Sequence, residues 1–336
     1  MTVLVTGAAG FIGFSLAARL LRDGANVFGI DNLCPYYDVA LKESRLALLR
    51  RYPGFRFALV DIAERGAVES LFERERFDTI VHLAAQVGVR YSLEQPLSYV
   101  DSNLVGFAHV LEGARAQRVR HLLFASSSSV YGANRKLPFS ESDNVDHPIT
   151  LYAATKKANE LTAHSYAHLF GLPCTGLRFF TVYGPWVRPD MALFKFARAI
   201  VAGEELPVYN EGRMVRDFTY IDDVVEAVVR LMAIPPAAGR DDAAAVPEAT
   251  AAPYRIFNIG NGRTVELMHY IRTLERCLGR PARLQLLPMQ PGDMVATLAD
   301  VTRLERAIAY RPATAVEDGV GRFVEWYRAY YRTAPP

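Results

Sequence analysis

Short apolar runs alternate with amphipathic stretches over the first half of the chain. Runs rich in β-branched and aromatic residues predict buried strands, and the stretch Phe14–Arg22, with apolar residues three and four apart, predicts a helix that Gly24 ends. The predicted strands are Met1–Val5, Val27–Ile30, Phe55–Val60, Thr79–Val81 and Arg120–Ala125. The alternation continues to about residue 180. It therefore predicts an α/β fold, a doubly wound parallel sheet with helices on both faces.

The second half of the chain is less regular. The run Arg178–Tyr183 predicts a strand that leaves the sheet for a second lobe, and 218–232 predicts a return to the first. The stretch 235–253 is rich in Ala, Pro, Asp and Gly, which predicts a mobile surface loop. Further elements are predicted at Tyr152–Leu169 (helix), Arg255–Ile259 (strand), Val265–Leu278 (helix) and Val316–Tyr331 (helix).

These patterns predict two lobes within one subunit. The first is a domain of residues 1–180 together with about 218–260. The second is a smaller C-terminal α/β lobe of about 181–217 and 261–336. At 336 residues the chain is long enough to bury a large core in such an arrangement.

Three glycines lie in the turn between the first predicted strand and the first predicted helix. Gly7, Gly10 and Gly13 have the spacing G-x-x-G-x-x-G. In such a turn the backbone can approach a pyrophosphate, and the helix N-terminus favours the negative charge. Three glycines in an ordinary turn are the alternative. The polar residues at other strand ends favour a dinucleotide and a Rossmann-like sheet.

Asp31 ends the second predicted strand, at about the distance expected for the acid that binds the adenosine ribose hydroxyls. A carboxylate there repels a 2′-phosphate, so NAD is favoured over NADP. Asp61-Ile62 and His82–Ala85 also follow predicted strands, where doubly wound sheets bind ligands. The small Ala84 and Ala85 leave room for a cofactor, whereas His82 fits a structural role. Loop capping by Asp31 and close packing at the alanines are the alternatives.

Tyr152 and Lys156 are four residues apart, so they share one face of a predicted helix. A tyrosine is a poor base at its reference pKa of about 10, but a neighbouring ammonium and a cationic nicotinamide both favour the phenolate. Ser127 belongs to a serine run, Ser126–Ser129, that follows a predicted strand and can hydrogen-bond a reacting oxygen. This spacing is common on surface helices. Its order after a glycine motif and a serine run favours redox chemistry at a carbon that bears a hydroxyl.

Composition excludes several other classes of protein. The chain is 51% hydrophobic with a formal net charge of +2, which suggests neither a nucleic-acid binder nor a polyanion binder. Cys34, Cys174 and Cys277 are scattered and odd in number, and no Cys/His spacing suggests a metal site. We therefore expect reduced thiols in a cytoplasmic protein. No apolar run approaches a membrane span, and the apolar start lacks the basic region of a signal peptide.

Over nearly its whole length the chain resembles the extended short-chain dehydrogenase/reductases. Within them it is most similar to the nucleotide-sugar epimerases, above all the UDP-glucuronate 4-epimerases. The motifs that carry the resemblance are Gly29–Leu33 with Tyr36-Tyr37-Asp38, Ala84–Ser92, Ser126–Gly132, Gly184-Pro-Trp186 with Arg188–Met191, Arg216–Asp223 and Leu287–Asp293. One departure is Val187, where relatives usually carry Gly. A β-branched residue resists positive φ, so we expect an altered loop at Arg188.

The resemblance implies NAD-dependent inversion of C4 in a UDP-sugar through a transient 4-keto intermediate, most directly UDP-glucuronate to UDP-galacturonate. UDP-glucose/UDP-galactose 4-epimerisation is the alternative. UDP-glucuronate decarboxylation and nucleotide-sugar 4,6-dehydration are less favoured, because those relatives carry carboxylates where this chain has Ser128 and Ser129. A protein that binds NAD without chemistry is disfavoured because Tyr152 and Lys156 are both present.

The resemblance also implies roles for individual residues. The catalytic residues are Tyr152, Lys156 and Ser127. The cofactor residues are Gly7, Gly10, Phe11, Ile12, Gly13, Asp31, Asn32, Asp61, Ile62, Leu83, Ala84, Ala85, Asn103, Tyr152 and Lys156. The substrate residues are Arg90, Ser127, Ser128, Ser129, Thr181, Arg188, Arg216 and Asp293. Relatives form homodimers through two helices, here Asn103–Arg115 and Tyr152–Leu169. No metal, nucleic acid or membrane partner is expected.

Overall fold

The computed structural model describes residues 2–239, 252–289 and 294–332. Its strands are β1 Thr2–Thr6, β2 Asn26–Asp31, β3 Phe55–Leu59, β4 Thr79–His82, β5 His121–Ser127, β6 Cys174–Phe179, β7 Thr181–Tyr183, β8 Glu205–Val208, β9 Val215–Arg216, β10 Phe218–Tyr220, β11 Tyr254–Ile259, β12 Val265–Glu266 and β13 Arg283–Leu286. Its α-helices are α1 Phe11–Arg22, α2 Val39–Leu49, α3 Arg65–Arg74, α4 Tyr91–Glu94, α5 Pro96–Tyr99, α6 Gly106–Gln117, α7 Leu151–Phe170, α8 Ala192–Ala202, α9 Ile221–Ala233, α10 Leu267–Leu278, α11 Thr302–Ile308 and α12 Val316–Tyr331. A π-helical turn, Val100–Val105, joins α5 to α6.

Seven strands form the main sheet in the order β11-β6-β5-β4-β1-β2-β3. Strand β1 pairs in parallel with both β2 and β4, so that Val3 lies beside Val27 on one side and Thr79 on the other. The pairs β2/β3, β4/β5 and β5/β6 are also parallel. The chain runs from β1 outward to β3 and then crosses to β4 on the far side of β1. This topological switch confirms the predicted Rossmann-like doubly wound sheet.

The chain folds into two compact units. The first takes the described residues within Met1–Arg135, Ser140–Phe179 and Val228–Asn258, and the second takes those within Lys136–Phe139, Phe180–Ala227 and Ile259–Pro336. In the first unit, apolar side chains from strands and helices bury one another, as the continuous apolar strands predict. Examples are Leu4, Ile80, Leu122, Phe107 and Leu111.

The second unit is built on short strand pairs and an aromatic core. Strands β7 and β10 pair in parallel, β9 and β12 pair antiparallel, and β8 and β13 pair in parallel. Phe218 and Tyr270 stack with ring centroids 4.1 Å apart, and Tyr183 packs edge-on against both. No helix among the described residues has the length and apolar character needed to cross a membrane.

Two predicted elements differ from the structure. The strand predicted over Arg178–Tyr183 is split at Phe180, whose backbone N–H donates to the carbonyl oxygen of Ile259 at 3.0 Å. The helix predicted from Val265 begins at Leu267 because Val265-Glu266 pairs with β9. Residues 240–251 of the predicted 235–253 loop lie outside the described residues, as does Asp293.

Candidate active site

The glycine turn after β1 closes tightly on itself and on the start of the loop after β4. A Cβ on Gly13 would lie 2.1 Å from the carbonyl oxygen of Gly7. A Cβ on Gly7, which has φ +71°, would lie 2.9 Å from the backbone nitrogen of Ala84. Helix α1 begins directly after Gly10, with no side-chain cap and no acidic residue in its first turn. The turn therefore places an uncapped helix N-terminus at the topological switch, which suits a pyrophosphate.

Asp31, the last residue of β2, is fixed against this turn. Its Oδ2 accepts from the backbone N–H of Ala9 at 3.1 Å, and its Oδ1 accepts from that of Leu33 at 2.8 Å. The side chain is buried, and Lys42 Nζ lies 3.9 Å from Oδ1. A carboxylate held here has the location that a ribose beside the pyrophosphate requires.

Sequence reasoning missed two cations of α2, one close to Asp31 and one at the glycine turn. Arg45 is fully buried, and its Nη1 donates to the carbonyl oxygen of Ala9 at 2.7 Å and to Tyr37 Oη at 2.8 Å. Lys42 donates to the carbonyl oxygen of Cys34 at 2.8 Å and is also buried. Both fall on the face of α2 that carries its buried leucines. A lysine and an arginine on the otherwise apolar face of a helix are the sequence signal that could have identified these two residues.

The ends of β3 and β4 hold the other predicted cofactor residues. Asp61 accepts from Asn32 Nδ2 at 2.9 Å, while Ile62 is buried in the core. The backbone N–H groups of Leu83 and Ala84 donate to Thr6 Oγ1 at 3.1 and 3.0 Å. In α1, Phe11 is buried and Ile12 is half-buried, and Ala85 after β4 is also half-buried. These contacts fix the loop after β4 against the end of β1.

Asn103 and Gln86 meet beneath this loop. Nδ2 of Asn103 donates to the carbonyl oxygen of Gln86 and to Thr155 Oγ1, both at 3.1 Å, so its amide hydrogens serve the protein. Nε2 of Gln86 is buried and has no hydrogen-bond partner within the described part of the chain. The orphaned donor, the fixed Asp31 carboxylate and the close glycine turn together fit a bound NAD.

Helix α7 carries the two predicted catalytic residues in its first turns. Thr150 caps the helix by accepting from the backbone N–H of Ala153 at 3.2 Å. Tyr152 is half-buried, and Lys156 is buried with its Nζ donating to the carbonyl oxygen of Ala125 at 3.0 Å. Burial lowers the pKa of Lys156 to about 8. The Lys156 ammonium therefore holds α7 to β5.

The serine run lies at the carboxyl end of β5. Ser127 is buried, and its Oγ accepts from the backbone N–H of Ser129 at 3.1 Å, which opens a 3₁₀ turn over Ser128–Tyr131. Ser128 and Ser129 are half-buried. Because parallel strands end at one edge, Ser127, the glycine turn and Asp31 belong to the same edge of the sheet.

A buried ion pair, also missed from sequence, anchors α7 to the sheet. Arg178 of β6 donates to Glu160 through Nε at 2.8 Å and through Nη2 at 2.9 Å. Ser126 Oγ donates to the same carboxylate at 2.6 Å, and Ser126 and Arg178 are partners in the β5/β6 register. Glu160 is one turn beyond Lys156 on the same helix face. Its carboxylate thus ties the ends of two strands to the catalytic helix.

The loop after β7 presents Arg188 in the second unit. Its Nε and Nη2 donate to the two carboxylate oxygens of Asp190 at 3.0 and 3.1 Å, so the cation is already paired within the loop. The positive φ, 65°, falls at Trp186, and Val187 is fully buried. Val187 itself does not adopt a positive φ.

The remaining predicted substrate residues have different surroundings. Arg216 Nη1 donates to the carbonyl oxygens of Val215 and Val295 at 3.0 and 3.1 Å, and Arg216 is half-buried. The half-buried Thr181 donates through its backbone N–H to the carbonyl oxygen of Asp217 at 3.2 Å. Arg90, in the first unit, is exposed just before α4.

Comparison with known proteins gives consistent similarities. Residues 3–260 match the model of the NAD dependent epimerase/dehydratase family. A probable UDP-glucuronate 4-epimerase of Rhizobium meliloti is 53% identical, covering 99% of each chain. The structure of a Bacillus cereus UDP-glucuronic acid 4-epimerase with UDP-glucuronic acid and NAD has a TM-score of 0.88 at 30% identity, covering 98% of this chain and 100% of that one. A Thermotoga maritima UDP-glucose 4-epimerase with UDP-glucose has a TM-score of 0.86 at 28% identity, with the same coverage.

Proposed function

Since this chain belongs to the NAD dependent epimerase/dehydratase family, we propose that it inverts C4 of UDP-glucuronate to give UDP-galacturonate. The observation that carries the proposal is the placement of Tyr152 and Lys156 on α7. Lys156 is held by the carbonyl oxygen of Ala125, near the end of β5, on the sheet edge that also carries Ser127, the glycine turn and Asp31. The relatives that act on UDP-glucuronate support the choice of substrate.

The protein transfers one proton from the sugar to Tyr152 and later transfers it back. Tyr152, as the phenolate, accepts the proton of the C4 hydroxyl and later returns it to the oxygen of the 4-keto sugar on the opposite face. The buried Lys156 ammonium favours the phenolate, and Ser127 donates a hydrogen bond to the C4 oxygen. Bound NAD supplies the reversible oxidation and reduction of C4, so that it is regenerated in each turnover.

Side reactions of the 4-keto sugar depend on nearby acids and bases. The 4-keto form of UDP-glucuronate is a β-keto acid, which can lose CO₂ unless the carboxylate is held out of alignment with the ketone. Ser128 and Ser129 offer hydroxyl groups at the end of β5 and no carboxylate. These hydroxyl groups are suited to hydrogen-bond the carboxylate of the substrate, but they are poor acid–base catalysts for the elimination of water. They support epimerisation over dehydration or decarboxylation.

One observation favours the neutral alternative, UDP-glucose/UDP-galactose 4-epimerisation. The Arg188 guanidinium is matched by both oxygens of Asp190, so a substrate carboxylate must displace an internal one. A charge-neutral hexose needs no such exchange. The two functions share the fold, the cofactor and Tyr152, and they differ only at the C5 substituent.

The deciding experiment incubates the protein with UDP-glucuronate and UDP-glucose in parallel and follows the products by NMR. We expect UDP-galacturonate to form faster than UDP-galactose, with no net consumption of NAD. Tyr152→Phe serves as the control for contaminating epimerase. Conversion of UDP-glucose alone would establish the neutral alternative, and release of a UDP-pentose as main product would establish decarboxylation.

We also propose that the protein is a homodimer. The two copies would associate through α6 and α7, because α7 exposes Leu161, Leu169 and Phe170 to solvent in the single chain. Light scattering at micromolar concentration checks this, and a monomer would contradict it.

The three cysteines are free, which supports the cytoplasm as the working compartment. Fractionation of cells that produce the protein tests that assignment.

A further inference from the structure

The segment 86–92 carries one of the motifs of the resemblance, and its first residue is tied to the catalytic helix α7. The backbone N–H of Gln86 donates to Oδ1 of Asn103 at 2.8 Å, and Nδ2 of Asn103 returns a bond to the carbonyl oxygen of Gln86. Asn103 in turn contacts Thr155, and Nδ2 of Asn159 donates to the carbonyl oxygen of Asn103 at 2.6 Å. The start of the segment is therefore linked to α7 by hydrogen bonds through Asn103.

Tyr99, at the end of α5, holds the middle of the segment. The residue is fully buried, and its hydroxyl lies 2.7 Å from the carbonyl oxygen of Val87 and 2.5 Å from that of Gly88. The ring of Tyr99 packs edge-on against the ring of Tyr152, with centroids 6.1 Å apart and an angle of 78° between the planes. One side chain thus contacts both the segment and the proton-transferring residue.

The outer side of the segment is packed by two further tyrosines. Gly88 has φ +102°, and a Cβ there would lie 2.5 Å from Tyr36 Oη, so glycine is required. The Tyr36 ring lies 4.7 Å from that of Tyr91, which lies 6.4 Å from that of Tyr99. A continuous row of aromatic rings therefore runs from the loop after β2 to the catalytic helix.

We propose that Tyr99 is a positioning residue that couples the conformation of the segment 86–92 to the orientation of the Tyr152 ring. The proposal rests on the function above, which assigns the proton transfer to Tyr152. The Tyr99 hydroxyl is hydrogen-bonded to the carbonyl oxygens of Val87 and Gly88, so a shift of the segment also shifts the Tyr99 side chain. The Tyr99 ring in turn limits how far the Tyr152 ring can rotate. A substrate that contacts the predicted substrate residue Arg90 in this segment would therefore also fix the Tyr152 ring. Proton transfer depends on placement to within about 1 Å.

Two substitutions separate the two contacts of Tyr99. Tyr99→Phe keeps the ring and removes the hydroxyl, whereas Tyr99→Leu removes both. Tyr254→Phe is the matched control, because its hydroxyl also donates to a backbone carbonyl, that of Glu160 in α7, at 3.0 Å. Each NAD-loaded variant is compared with the wild type for kcat and KM on the preferred UDP-sugar. Amide hydrogen exchange of peptides covering 86–92 is measured by mass spectrometry.

We expect Tyr99→Phe to raise KM about 10-fold with kcat within twofold, because a lost hydrogen bond loosens the segment but leaves the ring contact. Exchange in 86–92 should accelerate in the same variant. Tyr99→Leu should lower kcat about 100-fold, as expected for a misplaced catalytic group. Tyr254→Phe should change neither constant, nor the exchange of 86–92.

Three results would overturn the coupling. They are wild-type kcat in a folded Tyr99→Leu protein, unchanged exchange of 86–92 in Tyr99→Phe, or equal effects of Tyr99→Phe and Tyr254→Phe. The exchange measurement decides the matter if Tyr99→Leu does not fold. A wild-type protein without activity on any UDP-sugar would instead refute the proposed function, because exchange of 86–92 is measured without turnover.

Discussion

Two buried histidines should make the first unit sensitive to acid. His82 Nδ1 lies 2.9 Å from Thr6 Oγ1, and that hydroxyl also accepts from two backbone N–H groups, so it donates its own proton to the ring. Burial, with a smaller contribution from Lys156, lowers the pKa of His82 to about 3. Burial, with Arg255 as a second cause, lowers the pKa of His121 to about 3. Both rings are therefore neutral at neutral pH.

The direction of the pH dependence follows from proton uptake. In the unfolded chain a histidine has a pKa near 6.5, so the unfolded state binds more protons than the folded state between about pH 6.5 and pH 3. Stability is consequently lost as the pH falls through that range. Between pH 7.5 and pH 5 the loss amounts to about 2 kcal/mol for each histidine.

The assay is urea unfolding at pH 7.5 and pH 5, at one fixed NAD concentration, for the wild type, His82→Asn and His121→Asn. Each substitution should shrink the difference in unfolding free energy between the two pH values by about 2 kcal/mol, whatever it does to stability at pH 7.5. His147→Asn is the control because His147 is exposed. A pH difference identical in all four proteins would refute the reasoning, since both rings would then titrate alike in the folded and unfolded states.

Four further outcomes follow from the site. Tyr152→Phe should keep NAD and lose turnover by roughly 10²–10⁴-fold in the coupled epimerase assay, and activity within about threefold of the wild type would remove Tyr152 from the mechanism. Gly13→Ala should give a purified protein with no bound NAD, because the new Cβ would lie 2.1 Å from the carbonyl oxygen of Gly7. Mass spectrometry of the denatured protein measures the NAD that is released. The wild type should release NAD, and NADP alone would contradict the role of Asp31. Arg188→Ala should reduce kcat/KM for UDP-glucuronate roughly 10- to 150-fold more than for UDP-glucose, and equal losses would assign Arg188 to the diphosphate.

The sheet and its strand ends could be predicted because each depends on local pattern. A strand buried on both faces is an apolar run, and the polar residue that ends it marks the ligand edge, as at Asp31. Helix α12 begins and ends at the predicted Val316 and Tyr331 for the same reason, since one continuous amphipathic face defines it. The break at Phe180 could not be predicted, because an unbroken apolar run does not show where a strand changes its partner.

The supporting residues of the site were harder to predict. Arg45, Glu160 and Tyr99 act through partners that are distant in sequence or that are backbone atoms, and neither kind of partner leaves a spacing pattern. The pairing of Arg188 with Asp190 is local, so the sequence contained that signal and motif reasoning passed over it. A motif identifies groups that meet a ligand. The residues that hold those groups in position can be identified only from the packing of the folded structure.

The ion pair between Glu160 and Arg178 also constrains the order in which the first unit is assembled. Helix α7 leaves the ribosome before β6, and docking it on β5 at that moment would bury the Glu160 carboxylate without its counter-charge. Such burial costs several kcal/mol, so we expect the helix to dock stably only once Arg178 arrives with β6. A nascent chain that ends before Arg178 should therefore not hold Tyr152 in place. We therefore expect the reactive phenol to be fixed in its site only after β6 has joined the sheet.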